Sequence, residues 1–292
     1  MNDDFELNWN KDDIEKKLGF NSGKYTGVNA LLSFLFAVVL TIIFFACLYP
    51  FAYKGQQMID MFFPGGDGNR STIPIYTIFL SAWCFAIIII KAIKLSLQKK
   101  ALKLKVLPEV TDFVLAPNTA LQILNEMYKK VDDPKKFILF NRISRCLSNL
   151  KNLGRISDVV EGLVVQAEND ENYIESTYTV IKGFIWAIPI LGFIGTVVGL
   201  SQAVGGFGKV IREGADIEKL KTALAGVTAG LSIAFETTMI ALVAVLLIQL
   251  VMTMVKRNEE NFLDECSDYC HRNIIGKLKT IGIRDEFDKD LN

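Results

Sequence analysis

Apolar residues in this chain are gathered into four long runs, Val28 to Ala52, Ile73 to Ile90, Gly183 to Val204 and Ala223 to Val255, and most charges lie between them. Each run approaches or exceeds the roughly 20 apolar residues that a helix needs to cross a bilayer. The pattern therefore predicts four spanning helices. Between the second and third runs the spacing turns amphipathic: Leu121, Leu124 and Tyr128 share one helical face, as do Ile143, Leu147 and Leu150 farther on. Residues 91–182 read as a few amphipathic helices divided near Pro117, Pro134 and Gly154. After the fourth run Phe262, Cys266 and Tyr269 lie on one face among charges, which predicts that the last span continues as a helix beyond the membrane. No strand-like alternation, internal repeat or low-complexity tract interrupts this. The expected fold is all-α: a polytopic membrane protein with four transmembrane helices and helical cytoplasmic extensions. Its divisions are an N-terminal segment 1–27, a first transmembrane hairpin 28–90, a helical region 91–182, a second pair of spans 183–255 and a C-terminal helix or tail 256–292.

Composition agrees. Of 292 residues, 51% are hydrophobic and the formal net charge is zero, with a mean hydropathy of +0.31, which places the chain with membrane proteins. Residues 1–27 are rich in Asp, Glu and Lys, the wrong layout for a cleavable signal peptide, so the first span is expected to stay as an anchor. Lys91, Lys94, Lys99, Lys100, Lys103 and Lys105 follow the second span directly, whereas the connection from Tyr53 to Thr72 holds only Lys54 and Arg70. On the positive-inside rule this puts residues 91–182 and both termini in the cytoplasm. Lys209, Arg212, Lys219 and Lys221, mixed with acids, lie in the outer connection and oppose that orientation weakly. Pro64, Gly65, Gly66, Asp67 and Gly68 force a turn between the first two spans; Ser71 or Thr72 then caps the second, with Pro74 in its first turn. The five cysteines fall in spans or cytoplasmic segments, where disulfides are not expected. Cys266, Cys270 and His271 lack the fourth ligand and second clustered pair of a structural zinc site. No phosphate-binding loop, nucleophile–base pair or metal cluster is visible, so an enzyme, a cofactor and a nucleic-acid partner are not expected.

Candidate chemistry lies in the last two runs. Glu236 is the one charged residue between Ala223 and Val255, and an ionisable group at that depth is by default functional. Thr228, Ser232 and Glu236 recur every four residues and form a polar stripe suited to an ion path. In the third run Pro189, Gly192, Thr196, Gly199 and Ala203 form a stripe of small side chains; Gly195 with Gly199, and Gly226 with Gly230, make two GxxxG pairs. In lipid such residues let backbones approach closely, so spans three and four should pack together. Spans one and two, rich in Phe, Leu and Ile, should face lipid. Pro189 is either a hinge or a tolerated kink. At 1.5 Å per residue, Thr196 and Thr228 both fall roughly 20 Å above the cytoplasmic boundary of a core about 30 Å thick, with Glu236 about 12 Å below them near Pro189 and Gly192. The competing reading of the threonines is a bond to their own helix one turn back. That of Glu236 is a structural contact to Thr237, Thr238, Lys182 or another subunit.

Gly195-Thr196-Val197-Val198-Gly199 and Thr228-Ala229-Gly230-Leu231 resemble the two motif elements of the MotA/TolQ/ExbB family of proton-channel subunits, and the likeness covers about Tyr178 to Val255. Four spans with a large loop between the second and third resemble the flagellar stator subunit more than the three-span TolQ and ExbB. The resemblance implies a homo-oligomeric ring, five copies, in the bacterial inner membrane, around a dimer of a single-span MotB/ExbD/TolR-like protein. It also implies that the proton-carrying Asp resides on that partner, and that ion passage drives mechanical work. It makes Thr196 and Thr228 the ring hydroxyls facing the central pair. Where TolQ and ExbB continue Ala-Ile-Pro, this chain has Ala234-Phe235-Glu236, followed by Thr237 and Thr238. The transported ion is expected to be a proton, with sodium the alternative. Two other functions fit the same residues: a self-contained channel or secondary transporter using Glu236, and a structural membrane scaffold.

Overall fold

The computed structural model describes residues 7–52, 57–63, 71–104, 117–153, 156–212 and 216–277. The turn cluster at 64–68, Lys54, Arg70, Lys105, Gly154 and the tail after residue 277 lie outside the described residues. Ten helices are formed among those described: α1 Trp9–Asp12, α2 Ile14–Lys17, α3 Ala30–Leu48, α4 Gln57–Asp60, α5 Ile73–Lys103, α6 Pro117–Lys130, α7 Ile138–Leu153, α8 Ile156–Ser176, α9 Thr179–Arg212 and α10 Ile217–Asn273. The only extended pairing among them is an isolated bridge of Leu7 with Val131. Four stretches are long and apolar enough to cross a membrane, and they contain α3, α5, α9 and α10. The protein is thus an all-α polytopic membrane protein.

Local chemistry sets the helix ends. The Ser71 hydroxyl accepts the Ile73 amide at 3.2 Å, capping α5, whose second residue Pro74 has no amide hydrogen to leave unpaired. Pro117 opens α6, which closes on Lys129 and Lys130, cations placed well for the negative end of a helix dipole. Pro134 begins a short 3-10 turn before α7, with the Asp133 carboxylate accepting the Lys135 amide. The division of the middle region at its prolines is therefore as the sequence predicts. The last span indeed runs on: α10 is a single helix of 57 residues.

The chain forms two compact units. One comprises Met1–Asn29, Ile90–Thr177 and Val255–Asn292; the other comprises Ala30–Ile89 and Tyr178–Met254.

In the first unit α7 packs against α6 and α8. Phe137, Ile138, Phe140, Ile143 and Leu147 are completely enclosed there, beside Ala120, Ile123 and Met127 of α6 and Val159 of α8. Each large apolar side chain enclosed in this way stabilises the unit by about 1.5–3 kcal/mol relative to leaving it exposed. The buried face of α6 is Ala120, Ile123, Leu124 and Met127, not the expected Leu121–Leu124–Tyr128, because both Leu121 and Tyr128 are exposed. The face is turned by one residue, with Ala120, small for a hydrophobic anchor, fully buried on it. Along α10 the enclosed residues are Phe262, Leu263, Cys266 and Cys270, with Tyr269 at the margin.

In the second unit α9 and α10 pack through small residues. The expected lipid-facing character of the first hairpin fits α3, whose apolar window is 17% buried, better than α5, whose window is 50% buried. Thr77, Ser81, Ala82, Cys84 and Ala86 explain the difference, since small and weakly polar side chains on α5 allow neighbours close contact. Trp83 joins the two helices of this hairpin, donating its indole N–H to Ser33 at 3.0 Å and stacking edge-on with Phe34.

Candidate functional site

The α9–α10 contact fixes where the candidate ion-path residues stand. A Cβ built on Gly192 would lie 2.6 Å from the Ala241 Cβ, on Gly195 2.9 Å from that of Thr237, on Gly199 3.1 Å from that of Ala234, and on Gly230 2.7 Å from that of Ala203. Side chains at Gly192, Gly195 and Gly230 would collide and one at Gly199 would be tight, so the glycines are what allow the backbones to approach. Two hydroxyls bridge the helices as well: Thr238 donates to the Gly192 carbonyl at 2.9 Å, and Thr237 to the same oxygen at 3.4 Å while holding its own Ala234 carbonyl at 2.8 Å. Of the two expected GxxxG pairs, the one on α9 is used in full. On α10 only Gly230 is in contact, and Gly226 has nothing within 4 Å.

These pairs run in opposite order along the two helices, which are therefore antiparallel, with Gly195 level with Thr237 and Ala203 with Gly230. That register corrects the expected hydroxyl layer. Thr196 stands level with Glu236, and Thr228 lies about eight residues higher on α10, roughly 12 Å of helix rise. Glu236 correspondingly sits about one turn above the Gly192 level, where Thr238 and Ala241 are found. Apolar run ends do not mark a common level, because α9 and α10 both extend past the ends of their apolar runs.

Thr196 and Glu236 share a level but not a face. Glu236 follows Ser232 and precedes Ile240, Val243 and Leu247 at helical spacing, while α9 packs on Gly230, Ala234, Thr237, Thr238 and Ala241. The Thr228–Ser232–Glu236 stripe is thereby turned away from α9. Thr228 and Ser232 are exposed in the chain and Glu236 is half-buried. Among the described residues Glu236 has no hydrogen-bond or ion-pair partner; Thr237 and Thr238, which were expected to be able to hold it, spend their hydroxyl protons on carbonyl oxygens. Thr196 donates to the Phe193 carbonyl at 2.6 Å and Thr228 to the Leu224 carbonyl at 2.7 Å, one turn back in each case. Each hydroxyl oxygen keeps acceptor capacity toward an incoming donor. Pro189 lies within α9 without ending it and, with Ile185, Trp186, Ile190 and Phe193, forms an open apolar notch of about 430 Å³.

Sequence reasoning missed a second polar constellation, in the other unit. Lys91 and Lys94, expected to be surface lysines that set topology, are fully buried. Lys91 pairs with Glu259 at 3.2 Å and donates to the Thr177 hydroxyl at 2.7 Å. Lys94 pairs with Glu15 at 2.5 Å, donates to the Gly27 carbonyl at 2.6 Å, and lies 3.9 Å from Asp13. Glu15 in turn accepts the Gly23 and Asn29 amides at 2.8 and 2.7 Å. Nearby, Asp170 accepts from Arg142 at 2.8 Å, Gln166 at 2.8 Å and Tyr25 at 3.0 Å, and the Arg142 guanidinium also reaches Ser267 at 2.7 Å. The available signal was the spacing of Lys91, Lys94 and Gln98, which lie on one α5 face beside Leu95 and Ala101 rather than all round the helix. Gln98 closes the set by accepting the Ile138 amide at 3.0 Å and donating to the Lys136 carbonyl at 2.7 Å. Cys266 and Cys270 are buried free thiols with His271 exposed, and the described residues contain no group of three or more metal-ligating side chains.

Residues 132–267 match the model of the MotA/TolQ/ExbB proton channel family. The match takes in α7 and α8 as well as the motif-bearing α9 and most of α10, a longer stretch than the motifs alone covered. No curated protein and no solved structure matches the chain.

Proposed function

We propose, on the premise that the segment 132–267 is of the MotA/TolQ/ExbB proton channel family, that this protein is the ring-forming subunit of an ion-driven inner-membrane motor. The family gives a membrane-embedded proton channel of motor-like complexes and not a classical enzyme. The finer reading is a ring of copies, five by family resemblance, around a pair of single-span helices of the MotB/ExbD/TolR kind, with the termini cytoplasmic and ion flow coupled to mechanical work.

One observation carries that reading. A stripe of Thr228, Ser232 and Glu236 lies in an apolar span, is turned away from α9, and leaves Glu236 without a partner in its own chain. A carboxylate exposed to hydrocarbon is costly, so such a stripe requires another protein surface or a water-filled path beside it. A neighbouring copy or the single-span partner supplies that surface. Glu236 then serves as a proton or cation station, with Ser232 and Thr228 above it on the same helix and Thr196 lining the ring from α9. Pro189, Gly192, Gly195 and Gly199, with Gly230, hold the α9–α10 pair that carries these groups; Gly226 is free to serve a contact between copies.

The same lone carboxylate also suits a channel that conducts without a partner. Proton flux into vesicles separates the two. Flux that requires the co-reconstituted single-span protein supports the motor subunit, and equal flux from the chain alone replaces it with the autonomous channel. Flux unchanged by Glu236→Gln, Thr196→Val and Thr228→Val together would leave only a scaffold.

A further inference from the structure

A cavity of the second unit lies on the α10 face that carries Glu236, since Ile240, Val243 and Leu247 follow Glu236 at helical spacing and line it. It holds about 650 Å³ between α3, α5, α10 and the segment after α4. Its walls are Leu40 and Phe44 of α3, Ile78 to Ile89 along α5, and Met239 to Leu247 along α10, with Met61 and Phe62 from the connection between the first two spans. We infer that this slot is a binding site for one phospholipid acyl chain.

Chemistry narrows the occupant first. Every lining side chain but Ser81 is apolar, and the Ser81 hydroxyl donates to the Thr77 carbonyl at 2.7 Å. The slot therefore offers almost nothing to a water molecule, which needs two to four polar partners to settle in a cavity. Left empty, its walls forfeit dispersion contacts over their whole area. An apolar guest gains from both.

Size and shape narrow it further. Ile78 to Ile89 spans about 16 Å of α5, roughly half of the ~30 Å hydrocarbon core and thus the depth of one leaflet. A single alkyl chain is narrow enough to enter a slot of this size. Ile89 on α5 and Val243 and Leu247 on α10 line the slot and are exposed, as are Val39 and Ile43, next in sequence to Leu40 and Phe44, so the opening adjoins an apolar surface. Because the guest is lipid already present in the bilayer, the site needs no entry path from water.

The test is to reconstitute the full chain in vesicles of phosphatidylcholine doped with a phosphatidylcholine carrying a diazirine in mid-chain, photolyse, and map the adducts by peptide mass spectrometry. Labelling of Phe85 and Met239 above that of Leu31 and Leu35 on the exposed face of α3 is the expected result. Ala82→Trp and Ala244→Phe fill the slot from opposite walls, and each should lower the slot adducts by about an order of magnitude while leaving Leu31 and Leu35 labelled as before. The unchanged control labelling reports that the variant is folded and inserted; if one substitution disturbs it, the other reads the same slot. Slot adducts no denser than those at Leu31 and Leu35, or undiminished in the filled variant, overturn the inference. This outcome is independent of the ion-driven reading, because the experiment involves neither a partner nor an ion gradient.

Discussion

Lys91 and Glu259 form an ion pair at 3.2 Å in which neither side chain has any exposed surface. Each sits close in sequence to a point where the chain passes between its two units, at Ile89–Ile90 for one and Met254–Val255 for the other. Thr177, which accepts from Lys91, is the last residue of its stretch, and Thr26, 3.4 Å from the same ammonium, lies three residues before Asn29. One ammonium group thus ties together residues from beside all four passages.

Removing one member of such a pair strands the other. Lys91→Met should cost about 3–5 kcal/mol of unfolding free energy, because the Glu259 carboxylate is left buried and uncompensated. Lys91→Met with Glu259→Leu should recover most of that loss. Thermal unfolding of the four members of this double-mutant cycle in one detergent checks it, and additive losses would refute the pairing.

Gly195→Ala should loosen the α9–α10 pair. The new methyl would meet Thr237, and overpacking of this kind costs about 1–3 kcal/mol. Gly205→Ala, with nothing within 4 Å, should be neutral in the same unfolding assay.

Cys146 should resist thiol reagents in the folded protein. Burial pushes its thiol up to about 12, with nearby Cys270 adding to the shift, so almost no thiolate exists at neutral pH. Maleimide labelling at pH 7.5 should spare Cys146 until the protein is denatured, and labelling of the folded chain at the rate of the denatured one would contradict the packing of α7.

Tyr25 gives the first unit an alkaline limit. Burial chiefly, with the charge of Asp170, raises its phenol above the ordinary value near 10, so the fold favours the protonated form. Its contribution is fully present below the unfolded value and fades as pH rises beyond it toward the folded one. Tyr25→Phe should remove this component: between pH 9 and 11 its melting temperature should fall less steeply than that of the unaltered protein. Parallel slopes would count against the Tyr25–Asp170 bond.

Glu236→Gln should abolish the energised function while leaving assembly intact. The amide keeps the size and polarity of the side chain and loses the titratable group. Full activity of this variant in cells would remove Glu236 from the ion path.

The four spans, the helix breaks at Pro117 and Pro134 and the packing of α9 on α10 were legible because each follows from local composition: apolar length, proline position and glycine spacing. The register between α9 and α10 was not legible. Apolar run length shows where a helix can cross and not where its neighbour sits, so the estimate paired Thr196 with Thr228 and missed its level with Glu236. Lys91 and Lys94 were misread for a similar reason. A lysine next to a span ordinarily marks topology, and its burial depends on Glu259 and Glu15, which lie 168 residues after one and 79 before the other. Thr237 and Thr238 carried a signal that could have been used, since they fall on the same α10 face as Gly230 and Ala234.

The most direct test of the ring-subunit reading is to purify the tagged chain from its native membranes in mild detergent and weigh the complex by native mass spectrometry, identifying each component. The account predicts several copies of this chain, five by family resemblance, bound to two copies of a single-span protein with an aspartate in its span. A complex containing this chain alone would contradict it and transfer Glu236 to an autonomous channel.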